Sequence, residues 1–301
     1  MKPVLLLWFA AAAAFASGNP FDGRWNIQPE RDPKHRAWWL EVDGAKGRFV
    51  GFPGGNMNDI SGLKVQDGEL RFSFHNRGND LEYSVRLENG KLAGTRAGTG
   101  GTVRFTGVRA PEIADKDDGT WVADRPVALF NGKDLKGWRA VVEGSPLGWT
   151  VSDGLMKNTA HANNLISDRK FWNFELDAEY LIGSGSNSGI GLRARYEIQI
   201  LGDFGKPQNT HNHGALYSRV APAVNATLPP DQWQHMHVRL VGRDLTVVLN
   251  GKTVLDKVHV DGLTAMATDP NEALPGPITI QGDHLEVAFR RIVVTPLIRK
   301  R

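Results

Sequence analysis

Arg193, Arg195, Glu197 and Gln199 occupy every second position of the stretch Asn187-Ser-Gly-Ile-Gly-Leu-Arg-Ala-Arg-Tyr-Glu-Ile-Gln-Ile-Leu201, with Ala194, Tyr196, Ile198 and Ile200 in the alternate places. A two-residue period is that of a β-strand. The spacing therefore predicts one apolar and one polar face, with side chains on the polar face about 6.6 Å apart. Two guanidiniums, a carboxylate and a carboxamide in one row can donate, accept and exchange protons around a single small ligand, so the row is the expected lining of a ligand groove. The plain alternative is a half-buried strand with a polar outer face, on which Glu197 is simply paired with Arg193 or Arg195.

The elements that must position this row are read from the rest of the chain. Residues 1–16 open with Met1-Lys2, continue apolar to Phe15 and end on Ala14-Phe15-Ala16 ahead of Ser17, the pattern of a cleaved secretory signal. Their apolar run is too short to anchor the chain, and no other segment approaches the roughly 20 residues of a membrane-crossing helix. With no cysteine in the sequence, neither a disulfide framework nor a lipid-bearing cysteine is available. A periplasmic or secreted protein without a transmembrane anchor is expected. The net charge of +3 loses one positive charge with Lys2, and the basic residues are dispersed, which excludes nucleic acid as an expected partner. Nine Trp and 34 Gly suit a β-protein that holds sugars, although buried Trp in a sandwich core is the common fate.

Residues 19–110 alternate like short strands, among them Trp38 to Val42, Leu70 to Phe74 and Leu81 to Leu87, with hairpin signals at Asp67-Gly68 and Asn89-Gly90. They predict a small antiparallel barrel or meander, loosely similar to the calycin type. Residues 111–125 are charge-dense and begin with Pro111, the composition of a linker. Strands follow at Trp149 to Ser152, Phe174 to Leu181, Ile190 to Leu201, Gly214 to Arg219, Trp233 to Val241, Leu245 to Leu249, Ile278 to Gln281 and Leu285 to Thr295, with a tight hairpin at Asn250-Gly251. The expected fold class is all-β: a two-sheet jelly roll over residues 126–297, preceded by the small barrel.

Several stretches of this second unit carry a resemblance. Leu129-Phe-Asn-Gly-Lys-Asp-Leu-Lys-Gly-Trp138, Asn187-Ser-Gly-Ile190, Tyr196-Glu-Ile-Gln-Ile-Leu201, His213-Gly-Ala-Leu-Tyr217 and Ile280-Gln-Gly282 fall in order as in the bacterial 3-keto-disaccharide hydrolases, which the domain resembles. The chain departs from that pattern at Gly202-Asp203, where an acidic residue commonly follows the strand directly, and at Arg291, where Asn is usual. The resemblance implies a concanavalin A-like jelly roll acting on a glycoside already oxidised to a ketone at carbon 3. Such a ketone acidifies the hydrogen on carbon 2, so one base can start an elimination that expels the aglycone, after which water adds. This route needs a base, donors for the developing enolate and an acid for the leaving oxygen. The paired carboxylates of retaining glucanases, about 5 to 5.5 Å apart, are not required, and the strand Glu197-Ile-Gln199-Ile-Leu-Gly202 offers an amide and a glycine where further carboxylates would stand.

On that reading Glu197 is the general base or acid, with His213 or His284 as the second proton-transfer group. Asn187, Arg193, Arg195, Gln199 and Gln281 are expected to bind the sugar oxygens and the enolate, and Tyr217 and Trp149 to stack on a sugar face. Each has a bland alternative: a solvated loop histidine, a backbone turn at Asn187-Ser-Gly189, a core aromatic. No cofactor is expected; His211, His213 and Asp203 form too weak a pattern for a divalent metal. An upstream sugar 3-oxidoreductase is the implied pathway partner. The rival reading is a non-catalytic carbohydrate-binding protein on the same jelly roll, because the fold serves both.

Overall fold

In the computed structural model, which describes residues 18–51, 55–76 and 78–300, the described residues form antiparallel β-sheets and no helix. The expected export signal at residues 1–16 lies outside the described residues. The first sheet runs in the order Met57–Ile60, Lys46–Val50, Trp38–Asp43, Gly23–Pro29, Val103–Arg109, Lys91–Ala97, Asn79–Glu88, Glu69–Asn76 and Lys64–Gln66. Each strand pairs with its chain neighbour save where Gly23–Pro29 meets Val103–Arg109. The sheet curls until Met57–Ile60 approaches Glu69–Asn76. Along Asn79–Glu88 the side chains of Leu81, Tyr83 and Val85 are buried while Glu82 and Arg86 are exposed. Trp38, Phe49, Tyr83 and Phe105 fill the interior with ring centroids 5.1 to 6.5 Å apart. Asp67-Gly68 and Asn89-Gly90 both have positive φ at both positions, as a two-residue turn matched to strand twist requires.

The second unit is a jelly roll of two facing sheets. The larger follows the path Trp149–Ser152, Leu155–Asn158, Val287–Arg299, Phe174–Ile182, Trp233–Val241, Asp244–Leu249 and Lys252–His259; the smaller runs Trp138–Ala140, Leu165–Phe171, Gly276–Ile280, Asn187–Leu192 and Tyr196–Leu201. Ile190, Ile198, Ile200 and Ile280 of the small sheet meet Leu176, Tyr180, Met236, Val238 and Phe289 of the large one in a single core. Burial of each such side chain stabilises the fold by roughly 1.5–3 kcal/mol.

Two expectations are corrected. Ile190 to Leu201 is not one strand: Asn187–Leu192 and Tyr196–Leu201 are antiparallel neighbours, and residues 193–195 are the turn between them. Arg193 and Ala194 both take φ of 55°, the left-handed conformation that reverses the chain. Gly214 to Arg219 is a loop with isolated bridges at Leu216 rather than a strand. The charge-dense stretch 111–125, between the two units, packs against the second. Trp121–Ala123 pairs with Val287–Arg299, Asp117 binds the Arg239 guanidinium at 2.9 Å, and Asp115 accepts from Trp172 Nε1 at 2.8 Å.

The departure at Gly202 has a steric cause. A β-carbon there would stand 2.1 Å from the Gly183 carbonyl oxygen, so a side chain has no room.

The two units meet across a polar, buried junction. Glu272 is fully buried and accepts hydrogen bonds from Asn26 Nδ2 at 2.7 Å, Arg243 Nη1 at 2.7 Å and the Tyr196 hydroxyl at 2.6 Å. Ala37 N donates to Ala267 O at 2.8 Å, and the Arg219 guanidinium lies 4.3 Å from the Trp39 ring centroid.

Candidate active site

Pairing places Glu197 opposite Gly191 and Gln199 opposite Gly189 on the outer face of the small sheet. Gly189 explains where the Glu197 side chain goes. A β-carbon on Gly189 would lie 2.7 Å from Glu197 Oε1, so the carboxyl rests over a residue without a side chain. The backbone of Glu197 is fixed on the sheet edge: its N–H donates to Thr264 Oγ1 at 2.8 Å and its carbonyl accepts from Tyr217 N at 3.0 Å.

Around this carboxyl opens a cleft of about 570 Å³. Glu197 itself is only 2% exposed. Its carboxylate accepts no hydrogen bond from any described residue, and burial, followed by repulsion from Asp283, pushes it up to about 8. A carboxyl so placed is mostly protonated at neutral pH and, once ionised, is a stronger base than an ordinary carboxylate.

Asn187, Tyr217, Gln281 and His284 join Glu197 in lining the cleft. Gln281 follows Gly276–Ile280, its N–H donates to Gly189 O at 2.9 Å, and its Oε1 is buried without a hydrogen-bond partner among the described residues. The Tyr217 hydroxyl donates to Asn56 Oδ1 at 3.1 Å; burial and the nearby Glu197 charge push this phenol up to about 12, which keeps it a neutral donor. His284 stands at the rim with Nδ1 2.9 Å from Asp283 Oδ1.

Five expected site residues are not in the cleft. Arg193 is fully buried and its donors are spent: Nε to Trp172 O at 2.6 Å, Nη1 to Gly242 O at 3.0 Å and Nη2 to Asn173 Oδ1 at 3.1 Å. Arg195 is likewise consumed by Asp269 and by Leu274 O at 2.8 Å. Both leave the row because they belong to the turn and not to the strand. Gln199 lies behind the cleft wall, where Nε2 donates to Asn187 Oδ1 at 3.3 Å and so orients a lining residue. Trp149 is a core residue whose Nε1 donates to Asn163 O at 2.7 Å.

His213 is buried away from the cleft, with Nε2 2.5 Å from the Tyr180 hydroxyl and Nδ1 3.2 Å from Thr227 Oγ1. Burial lowers its pKa despite Asp203, leaving a neutral ring with both nitrogens engaged. Asp203 itself binds Asn212, His213 N and Thr227, and His211 faces Asn56. Among the described residues no three His, Cys, Asp or Glu side chains are grouped to hold a metal ion.

The cleft also contains residues that sequence reasoning missed. Lys34 and Arg36 reach it from the first unit, and Asn164, Thr268 and Asp283 from loops of the second. Asp32 shapes the loop that delivers the two cations. Its Oδ1 accepts from the backbone of Lys34 at 2.9 Å and of Arg36 at 3.2 Å, and its carboxylate binds the Arg36 guanidinium at 3.1 and 3.2 Å. Asp283 is ion-paired with Lys34. Burial alone would raise Asp283, but hydrogen bonds from His284 and Lys34 and their charge hold it at about 2. No spacing rule could have joined Lys34 to Asp283, which are brought together only by the docking of two units.

Comparison with known proteins bears on the second unit as a whole. A profile described as the 3-keto-alpha-glucoside-1,2-lyase-like domain matches residues 125–295. A 3-keto-disaccharide hydrolase of Bacteroides thetaiotaomicron is 36% identical over 78 residues, covering 23% of this chain and 27% of that protein. The chain thus aligns with about a quarter of the length of this curated relative. A candidate glycosyl hydrolase of Parabacteroides distasonis ATCC 8503 has a crystal structure that superposes with a TM-score of 0.51 at 25% identity, covering 62% of this chain and 92% of that one. The profile match extends over more than half of the 301 residues, from ahead of the first jelly-roll strand to near the end of the last, and the chain belongs to the family of 3-keto-alpha-glucoside-1,2-lyase-like domains.

Proposed function

We propose that this protein cleaves 3-keto-glycosides by eliminating the aglycone across carbons 1 and 2 and then adding water. The observation that carries the reading is Glu197: a buried carboxyl in a polar cleft, raised to about 8, with no described hydrogen-bond donor to hold its charge. Ionised Glu197 takes the proton from carbon 2, and the electron pair of that bond passes to the carbon 3 oxygen as an enolate. Lys34, Arg36 and the amides of Asn187 and Gln281 are the donors and charges available to that oxygen. Collapse of the enolate forms the double bond between carbons 1 and 2 and releases the aglycone oxygen, which takes a proton from Tyr217 or His284. Water then adds across the double bond, its hydroxyl to carbon 1 and a proton to carbon 2, giving the free 3-keto sugar. The substrate must be supplied by a sugar 3-oxidoreductase acting first, and residues 1–16 would direct export to the periplasm or beyond and be removed in the process.

A second reading has one observation in its favour: Asp283 gives the cleft a second carboxylate, as a double-displacement glycosidase needs. Its two oxygens are taken by Lys34 and His284, which argues against a nucleophile. Incubating the purified protein with a 3-keto-glucoside and with its unoxidised parent separates the readings. Release of the aglycone from the keto form alone supports elimination; release from the parent supports double displacement; binding without release from either supports the carbohydrate-binding alternative.

A further inference from the structure

A second cavity of about 650 Å³ adjoins the cleft and shares Lys34, Asn164 and Asp283 with it. Beyond that shared border its wall includes Pro33, Val141, Val142, Pro146 and Ala162, with Ser145 at the exposed side. Several of the polar groups around them are engaged within the protein. Asn163 Oδ1 accepts from Val142 N at 3.1 Å and Asn163 Nδ2 donates to Val142 O at 2.8 Å, so one side chain satisfies both backbone groups of its neighbour. Val141 N donates to Asn164 O at 2.8 Å. His161 is held by its N–H to His284 O at 2.7 Å, with Nδ1 3.3 Å from Asp283 O. What remains for a ligand is mainly aliphatic surface.

A sugar needs donors and acceptors along its whole rim, and a site that leaves its hydroxyls unpaired rejects it. The cleft around Glu197 is lined by more such groups, and this cavity by more aliphatic surface. We propose that the adjoining cavity is the aglycone subsite and that the aglycone it takes is an apolar alkyl or aryl group. This deepens, and rests on, the reading of the cleft as a 3-keto-glycoside site. The shared border of Lys34, Asn164 and Asp283 then lies where the glycosidic bond would cross from the sugar to the aglycone.

The test compares methyl and hexyl 3-keto-glucosides, whose leaving groups have nearly the same basicity, so that a rate difference reads burial of the chain. At roughly 0.8 kcal/mol per buried methylene, even partial burial of five methylenes favours the hexyl compound by about tenfold or more in kcat/KM. Val142→Asp, and independently Pro146→Asp at an exposed position, should bring the hexyl-to-methyl ratio close to one. Equal kcat/KM for the two substrates in the wild type, or a ratio untouched by both substitutions, overturns the subsite while leaving the cleavage reading intact. Calorimetric binding of the same two compounds to Glu197→Gln separates the opposite case. Tighter hexyl binding that Val142→Asp abolishes supports the subsite even where neither compound is cleaved by the wild type, a result that overturns the cleavage reading alone.

Discussion

Glu197 and Glu272 are both buried carboxyls, and Tyr196, the residue before Glu197, is hydrogen-bonded to Glu272. At the domain junction Glu272 receives Arg243, Tyr196 and Asn26. Burial alone would raise its pKa, yet the Arg243 charge and these hydrogen bonds bring it below the ordinary carboxylate value. In the cleft Glu197 receives none, and burial lifts it to about 8. The contrast separates two uses of a buried acid. With its donors supplied, the charge fastens two units together; without them, the ionised group is a base ready to take a proton in a reaction.

The contrast is tested most severely by amide substitution at each site. Glu197→Gln should lower kcat/KM on a 3-keto-glucoside by about 10³-fold, within the range that general acid–base groups contribute, while circular dichroism and ligand binding stay close to wild type. A variant retaining most activity removes Glu197 from the chemistry. The same substitution alters the pH dependence of stability, and the sign is fixed by the direction of the shift. A carboxyl raised from 4.5 to about 8 keeps its proton longer in the folded than in the unfolded chain. Stability therefore falls as pH rises from about 4.5 to 8, by at most roughly 5 kcal/mol. Urea unfolding at pH 5 and pH 9 should show this loss in the wild type and a smaller one in Glu197→Gln.

Glu272→Gln should do the reverse. Removing the partner of buried Arg243 costs about 3–5 kcal/mol in unfolding free energy, with turnover of the folded protein retained. If the Glu272 variant instead loses activity at unchanged stability, the junction belongs to the chemistry and the contrast collapses. The smallest effect is expected at the cleft mouth. The Lys34 side chain is half exposed in its pair with Asp283, so Lys34→Met should change stability by less than about 1 kcal/mol. Its mark would be a raised KM in steady-state kinetics. An unchanged KM would show that the first unit only borders the cleft.

Much of the fold was legible because period-two alternation and Asn-Gly or Asp-Gly turns are local signals. Those signals placed Tyr196–Leu201 and the three tight hairpins whose residues take positive φ. The candidate site was legible on regular strand or next to it, as at Glu197, Asn187 and Gln281, and by residue type in the loops that carry Tyr217 and His284. Alternation ran on through Arg193 and Arg195 because nothing in Leu-Arg-Ala-Arg signals a turn; two non-glycine residues adopt φ of 55°, stabilised by distant contacts such as Thr268 N to Ala194 O at 2.9 Å. His213 looked catalytic by type, but its two ring nitrogens face Tyr180 and Thr227, partners 33 and 14 residues away. Lys34 and Arg36 were invisible for the same reason at larger scale: a cleft between two units draws on residues that no single stretch brings together.

The measurement closest to the central claim is a kinetic isotope effect on a 3-keto-glucoside carrying deuterium at carbon 2, followed as aglycone release across pH 6 to 9. If ionised Glu197 removes that hydrogen, cleavage of the deuterated compound is slower by a primary isotope effect, and kcat/KM rises with pH through about 8 before levelling off. Equal rates for the two isotopologues, together with comparable cleavage of the unoxidised glucoside, would contradict the account and turn attention to Asp283.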